Sequence, residues 1–206
     1  MNICIPLGGL ETRVRDLWNG PKCLIPLGGR PLIERLFEKL IAEVDFQQCV
    51  FCIGAKGSLM AEWFSPWRSR LPEQHRSRMH LIVEDFPLGT AGAVNNAVRT
   101  QKLGGETLLV VNGDTWPLYS VKELLRYHDV RPGSWATIAV ITRSHQWRDI
   151  YAGAAVLSPQ AVEEIGADRR TYDLPAHLLG ALRYYVPGFI DVGTPEGFRR
   201  AKEWRE

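Results

Sequence analysis

The residues that point to chemistry cluster directly after the first apolar run of the chain, in Leu7-Gly8-Gly9-Leu10-Glu11-Thr12-Arg13, followed by Pro21-Lys22. Adjacent glycines at the carboxyl end of a first strand leave no Cβ between the main-chain N–H groups and a ligand, so a phosphate or a base can come close. Arg13 and Lys22 add cations of different geometry: arginine forks two phosphate oxygens, and lysine acts as a movable point charge. The spacing fits neither a Walker A loop nor the Gly-x-Gly-x-x-Gly dinucleotide fingerprint. A second group, Glu84-Asp85-Phe86-Pro87-Leu88-Gly89-Thr90-Ala91-Gly92-Ala93, leads from a strand into a helix whose small residues permit close approach. Two further apolar runs end in a carboxylate: Val110-Val111-Asn112-Gly113-Asp114 and Phe189-Ile190-Asp191-Val192-Gly193-Thr194-Pro195. Either aspartate alone reads as a turn residue, whereas two of them beside a phosphate-binding loop suit a hard cation with oxygen ligands.

These groups can meet only if the strands that carry them lie side by side. Short apolar runs alternate with helix-like segments almost from end to end, the pattern of a mainly parallel sheet covered by helices on both faces. The runs Asn2 to Leu7, Gln48 to Ile53, Met79 to Glu84, Thr107 to Val111, Trp135 to Ile141, Ala152 to Leu157 and Arg183 to Val186 predict strands. Leu32, Ile33, Leu36, Phe37, Leu40, Ile41 and Val44 predict an amphipathic helix over Pro31 to Val44, with proline at its first position. Further helices are predicted over Ser58 to Trp67, Ala91 to Gln101, Ser120 to Tyr127, Pro159 to Ile165 and from Pro195 onward; Ser120 and Glu123 form a capping box. The expected architecture is α/β, a single Rossmann-like three-layer α/β/α domain over 1–206 with a mostly parallel mixed sheet. Open sheets of this kind bind ligands at the carboxyl edge of their strands, where the residues above fall.

Composition narrows the function classes. The chain has 206 residues, and its 45% hydrophobic content supplies one substantial core. Lys plus Arg 25 against Asp plus Glu 23 gives a net charge of +2, too balanced for a chain whose main partner is a nucleic acid or an anionic membrane. Apolar stretches such as Ala136 to Ile141 are far too short to span a bilayer, and Met1-Asn2 opens directly into a strand-like run, so a soluble chain with no cleaved signal is expected. Cys4, Cys23, Cys49 and Cys52 are too few for a disulfide framework and suit the reducing cytoplasm. Cys49 and Cys52 spell C-x-x-C, yet they fall on a strand and are expected to pack in the core. Arg68, Arg70, His75, Arg76 and Arg78 read as a solvated connection rather than an anion patch. The tryptophans read as core or interface aromatics, and with Tyr184-Tyr185 they leave room for a homodimer.

In order along the chain, Gly8-Gly9-x-x-Thr12-Arg13, Pro21-Lys22, Gly29-Arg30-Pro31, Pro87-Leu88-Gly89-Thr90-Ala91-Gly92, Asn112-Gly113-Asp114 and Ile190-Asp191-Val192-Gly193-Thr194-Pro195 resemble the sugar-1-phosphate nucleotidyltransferase family. The nearest likeness is to bacterial mannose-1-phosphate and heptose-1-phosphate guanylyltransferases. The resemblance implies the glycosyltransferase-A-like nucleotidyltransferase version of the fold. It also implies a nucleotide lined by Leu7, Gly8, Gly9, Gly89 and Thr90, a triphosphate met by Arg13 and Lys22, and Mg²⁺ shared by Asp114 and Asp191. The implied reaction joins a sugar 1-phosphate to a nucleoside triphosphate with loss of pyrophosphate, which is mostly charge neutralisation and in-line positioning. Glu84 takes the position that faces the base edge in related enzymes. A carboxylate only accepts hydrogen bonds, which suits the N1–H and N2–H donors of guanine and favours GTP over UTP, dTTP or CTP. Asn112, Arg143, Arg148 and Gly153 are the candidates for the sugar-phosphate side.

The chain departs from the family pattern at three places. Glu11 replaces the glycine before Thr-Arg. Tyr151-Ala152-Gly153 stands where Asn-x-Gly contacts the sugar. The segment between Ile141 and Tyr151 lacks an extra strand pair and the lysine that holds the sugar phosphate, so Arg143 or Arg148 is expected to substitute for it, and His145 reads as a loop residue. These departures leave a second reading, a catalytically weak binding homologue that regulates or scaffolds a partner enzyme. Retention of both aspartates favours the enzyme.

Overall fold

The computed structural model of the chain describes residues 1–8, 12–54, 57–143, 148–167, 174, 178 and 180–205, with the main chain alone for Thr12, Arg143 and Arg148. The first half contains β1 (Asn2–Pro6), 3-10 turns at Thr12–Val14 and Lys22–Leu24, β2 (Pro26–Leu27), β3 (Arg30–Pro31), α1 (Leu32–Glu43), β4 (Cys49–Ile53), α2 (Ser58–Ser69), α3 (Glu73–Arg76), β5 (Met79–Val83) and α4 (Gly89–Gln101). The second half contains β6 (Leu108–Val111), β7 (Thr115–Pro117), α5 (Val121–Asp129), β8 (Ala136–Arg143), β9 (Arg148–Leu157), α6 (Pro159–Ala167), β10 (Leu182–Tyr185), β11 (Phe189–Asp191) and α7 (Pro195–Glu203).

The seven strands expected from the sequence form one sheet in the order β10-β8-β9-β6-β1-β4-β5. Only β9 runs against its neighbours in this sheet; β1, β4, β5 and β6 pair in parallel, as do β8 and β10. Residues of β1, β4 and β6 alternate between two apolar layers. Ile3, Ile5, Phe51, Leu109 and Val111 pack on one face with Leu36, Phe37, Leu40 and Leu124. Cys4, Val50, Cys52, Leu108 and Val110 pack on the other with Val94, Ala97, Val162 and Ile165. Coverage of both faces is why these strands read as continuous apolar runs rather than alternating ones. All four cysteines are buried, and among the described residues no helix is long and apolar enough to cross a membrane.

Local differences from the sequence reading have physical causes. Pro31 is the N-cap of α1 rather than its first residue, because Arg30-Pro31 pairs back on Pro26-Leu27. The turn between them, Gly28-Gly29, has φ of 57° and 82°, the double positive φ of a two-residue hairpin turn that only glycine adopts readily. Helix α4 begins at Gly89, two residues before the start that its small-residue run suggests. Strands β8 and β9 continue as a hairpin to an Arg143–Arg148 pair, where the sequence predicts a loop; Thr142 donates to Asp149 at 3.1 Å across it. Ser120 caps α5 as expected, but a tertiary carboxylate adds most of the cap: Glu43 accepts from Ser120 Oγ, Val121 N and Lys122 N at 3.1, 2.6 and 3.1 Å. Burial pushes the Glu43 carboxyl up, and the Lys39 ammonium with these main-chain donors outweighs that and lowers it. The cations near α2 and α3 are engaged locally: Arg68 donates to Arg76 O, Arg70 pairs with Glu34, and Arg78 pairs with Asp45.

Candidate nucleotide and metal site

Strand order reverses between β1 and β6, and the chain leaves both neighbours at the same edge, which makes this crevice the place where an open α/β sheet binds ligands. Leu7 N donates to Cys52 O at 2.7 Å, and Gly113 N donates to Pro6 O at 3.0 Å, so the loops after the two strands are fixed to the sheet. A Cβ at Gly113 would run into the Leu7 side chain, and it is this missing atom that lets the turn to Asp114 pass close to β1.

Asp191 reaches Asp114 through a second, two-stranded sheet. β11 pairs antiparallel with β7, placing Asp191 opposite Thr115, and Val192 N donates to Asp114 O at 3.0 Å. Gly193 N donates to Asp191 Oδ1 at 2.8 Å and aims that carboxylate. Thr194 caps α7 by accepting from Gly197 N at 3.0 Å, while its hydroxyl donates to Asp191 O at 2.8 Å. A Cβ on Gly193 would stand 2.9 Å from Asp191 Oδ1, 3.3 Å from Asp114 Oδ2 and 3.3 Å from Lys22 Nζ, so all three side chains converge on one small space that a methyl group would fill. Lys22 Nζ lies 4.0 Å from Asp114 Oδ2, and the Arg13 guanidinium lies 3.8 Å from Asp191 Oδ2. Burial raises the Asp114 carboxyl, the charge of Asp191 raises it further, and Lys22 opposes both. Two facing carboxylates that repel one another are a donor set suited to a hard divalent cation, which binds through one or two carboxylates together with phosphate oxygens.

The side of the crevice on which the sequence reading puts the base is built on β5. Glu84 N donates to Ile53 O at 2.8 Å, and the Glu84 side chain is only 4% exposed. Its Oε2 accepts from Leu88 N at 3.3 Å, closing the loop that leads into Gly89 and Thr90 at the start of α4. Its Oε1 is buried with no partner. A Cβ at Gly8 would sit 3.4 Å from Glu84 Oε2 and 3.4 Å from Gly54 Cα, so the first glycine of the loop lies directly beside this carboxylate. Burial raises the Glu84 carboxyl above its usual 4.5, and the Leu88 N–H only partly offsets that. A folded pKa above the unfolded one means that the contribution of Glu84 to stability is fully present below about pH 4.5 and is lost as pH rises through the raised value. Glu84→Gln is therefore expected to raise the melting temperature at pH 7 and to leave it unchanged near pH 4, measured by thermal unfolding at both pH values. Equal shifts at the two would show that the ionised form carries no cost.

The residues expected on the sugar-phosphate side lie just after β6 and on β8 and β9. Asn112 N donates to Gly153 O at 2.8 Å, and the Asn112 side-chain oxygen is buried without a partner. Gly153 has φ of 83°, and a Cβ there would meet the Thr115 side chain at 2.6 Å, so its need for glycine comes from the crossing of β9 over β7. The Tyr151 hydroxyl is buried without a partner, and burial holds its pKa well above the usual range. Arg143 and Arg148 face one another in register as the pair next to the connection of the hairpin; their side chains, together with Gly9, Glu11, His145 and Trp147, lie outside the described residues. Sequence reasoning names Gly193 and Thr194 only as parts of the Asp191 motif, with no role of their own, and does not reach Gly197. The Asp-x-Gly-Thr-Pro spacing carried the signal, since threonine before proline marks a helix N-terminus and places the aspartate just outside it.

No family model matches the chain. It is 25% identical over 233 residues to mannose-1-phosphate guanylyltransferase 1 of Arabidopsis thaliana, covering 96% of this chain and 63% of that one. It is 27% identical over 129 residues to D-glycero-alpha-D-manno-heptose 1-phosphate guanylyltransferase of Aneurinibacillus thermoaerophilus, covering 62% of this chain and 52% of that one. Thus the chain spans less than two thirds of the length of these curated relatives. Among solved structures, HddC from Yersinia pseudotuberculosis in complex with GMP-PN superposes with a TM-score of 0.75 over 98% of both chains at 21% identity. The chain has the nucleotidyltransferase fold and resembles in sequence the sugar-1-phosphate nucleotidyltransferases, those acting on mannose 1-phosphate and heptose 1-phosphate among them.

Proposed function

We propose that the chain transfers GMP from GTP to a sugar 1-phosphate, giving a nucleotide-sugar and pyrophosphate. The observation that carries this reading is the convergence of Asp114, Asp191 and Lys22 at Gly193, in the crevice that also holds the buried Glu84 carboxylate. The relatives named for mannose 1-phosphate and heptose 1-phosphate, and the neighbour solved with GMP-PN, support the same substrate class.

In this reading Arg13 and Lys22 take the charge of the triphosphate, and main-chain N–H groups around Leu7 and Gly8 line the nucleotide. Asp114 and Asp191 hold Mg²⁺, which when bound neutralises charge on the α-phosphate and the departing pyrophosphate. An oxygen of the sugar phosphate forms the new bond to the α-phosphorus as the bond to the bridging α,β-oxygen breaks. That nucleophile is already ionised at neutral pH, so no protein base is required and no covalent intermediate forms. The buried free thiols of Cys4, Cys49 and Cys52 support a reducing compartment.

The reading is tested by pyrophosphate release with Mg²⁺ from GTP, UTP, dTTP, CTP and ATP, each against mannose, glucose and heptose 1-phosphates. Release with GTP and one sugar phosphate is expected; silence across the panel, with GTP still protecting the chain against heat, would favour a binding homologue. Glu84 is tested separately. Its partnerless Oε1 offers an ionised acceptor to guanine, and a hydrogen bond to a charged group contributes about 1.5–3 kcal/mol. Glu84→Gln should therefore lower the preference for GTP over UTP by about tenfold or more, and an unchanged ranking of the nucleotides would remove Glu84 from base recognition.

A further inference from the structure

We propose that Lys22 also guards the metal position: its ammonium borders the space between Asp114 and Asp191, so a divalent cation enters only with a triphosphate that draws the ammonium away. This rests on the reading of Asp114 and Asp191 as cation ligands.

The geometry is specific. The point above Gly193 that lies 2.9 Å from Asp191 Oδ1 and 3.3 Å from Asp114 Oδ2 is also 3.3 Å from Lys22 Nζ. The ammonium is a compact point charge, and this one is held at the rim of that space rather than extended into solvent, its side chain being 12% exposed. The other carboxylate is countered as well, by Arg13 at 3.8 Å. The two differ in freedom, because the Arg13 side chain is 61% exposed and can swing away unaided. The main chain around Lys22 is fixed. Pro21 O accepts from Trp18 Nε1 at 3.1 Å and from Leu24 N at 3.0 Å, and the adjacent Cys23 is buried with its thiol 3.3 Å from Met60 Sδ. Only the flexible lysine stem can move, and a triphosphate in the crevice supplies the competing negative charge that moves it.

Charge decides the consequence. A dication placed beside Asp114 with Lys22 still in position would face a like charge at contact distance in a partly buried space, where screening is weak. Once phosphate oxygens take over the ammonium, the same carboxylates are free and the repulsion is gone. Metal and nucleotide must then promote each other's binding by the same factor, since coupling between two bound ligands is reciprocal.

The experiment uses Mn²⁺ as the probe, an octahedral oxygen-seeking ion, titrated into the full chain without nucleotide and followed by the loss of its free-ion paramagnetic resonance signal. Lys22→Met, which keeps the stem and removes the charge, is expected to bind Mn²⁺ about tenfold or more tightly than the unaltered chain, and Asp114→Asn in the same background should abolish the gain. Lys22→Arg, which keeps the charge, should remain weak. Where Lys22→Met proves unfolded by circular dichroism, Lys22→Gln serves the same comparison. Equal affinity in the unaltered chain and the neutral variant would overturn the guarding role even if GTP still releases pyrophosphate. Tight Mn²⁺ binding that survives Asp114→Asn would instead show that the carboxylate pair is not the metal site, so the two failures are told apart.

Discussion

Asp114→Asn and Asp191→Asn should each lower Mg²⁺-dependent pyrophosphate release from GTP by about 100- to 1000-fold, the scale of losing one electrostatic element of a phosphoryl-transfer site. The expectation rests on how little else the substitutions change. An amide oxygen can replace Asp191 Oδ1 as acceptor of the Gly193 N–H, and it can replace Asp114 Oδ1 as acceptor of the Thr115 hydroxyl at 3.4 Å. Shape and these hydrogen bonds are kept, and one unit of negative charge is removed beside Lys22 or Arg13. Loss of the mutual repulsion that raises the Asp114 carboxyl offsets the loss of its pairing with Lys22, so thermal unfolding should shift by only a few degrees, consistent with about 1 kcal/mol in a chain of this size. Turnover and melting measured side by side separate a lost function from a lost fold. Undiminished turnover in both variants would overturn the metal assignment.

The other large effect is expected at a residue with no chemistry of its own. In Gly197→Ala the new methyl group would collide with the main-chain oxygen of Asp191 and stand 2.9 Å from the Thr194 hydroxyl. Neither obstacle is the free end of a flexible side chain. The carbonyl belongs to β11, which is held by its pairing with β7, and the hydroxyl is the cap of α7. Helix α7 must tilt away from β11, weakening its packing through Phe198 and Ala201 on Ile190 and Val192. Overpacking of this kind costs about 1–3 kcal/mol, a fall in melting temperature of about 2–4 °C for each kcal/mol in a chain of this length. Because Asp191 moves with β11, turnover should fall further than stability does. Gly104→Ala is the control: a Cβ there meets nothing within 4 Å, and neither melting nor turnover should change. Equal behaviour of the two variants would show that the α7–β11 contact does not position Asp191.

Much of this architecture is legible in the amino-acid sequence. Strands β1, β4 and β6 are apolar on both faces, a pattern that only a covered parallel sheet requires, and α1 repeats its apolar residues at helical spacing. The residue types that bind phosphate and hard cations are legible as well, since Gly8, Arg13, Lys22, Asp114 and Asp191 each follow a strand or turn signal that local rules describe. Glu84 is recognisable as a carboxylate at the end of a strand, though its buried, half-satisfied state is not. Helix and strand ends shift by a residue or two wherever a tertiary partner intervenes, as where β3 takes Pro31 from the start of α1 and Glu43 supplies the cap of α5.

What only the tertiary structure decides is which of these residues meet. Asp114 and Asp191 lie far apart along the chain, and nothing in either local sequence states that Phe189–Asp191 pairs with Thr115–Pro117. That short ladder has no periodicity to reveal it; it exists because Ile190, Val192 and Phe198 can be buried against Ile25, Leu27 and Leu32 only in that place. The space above Gly193 is likewise a property of three converging segments rather than of the glycine, and the same holds for Lys22 at the rim of that space. Local sequence determines what each segment can become and what chemistry it carries, because backbone propensity and side-chain type act over a few residues. Distances between charges are set by long-range packing, and it is those distances that turn a set of separate motifs into a site.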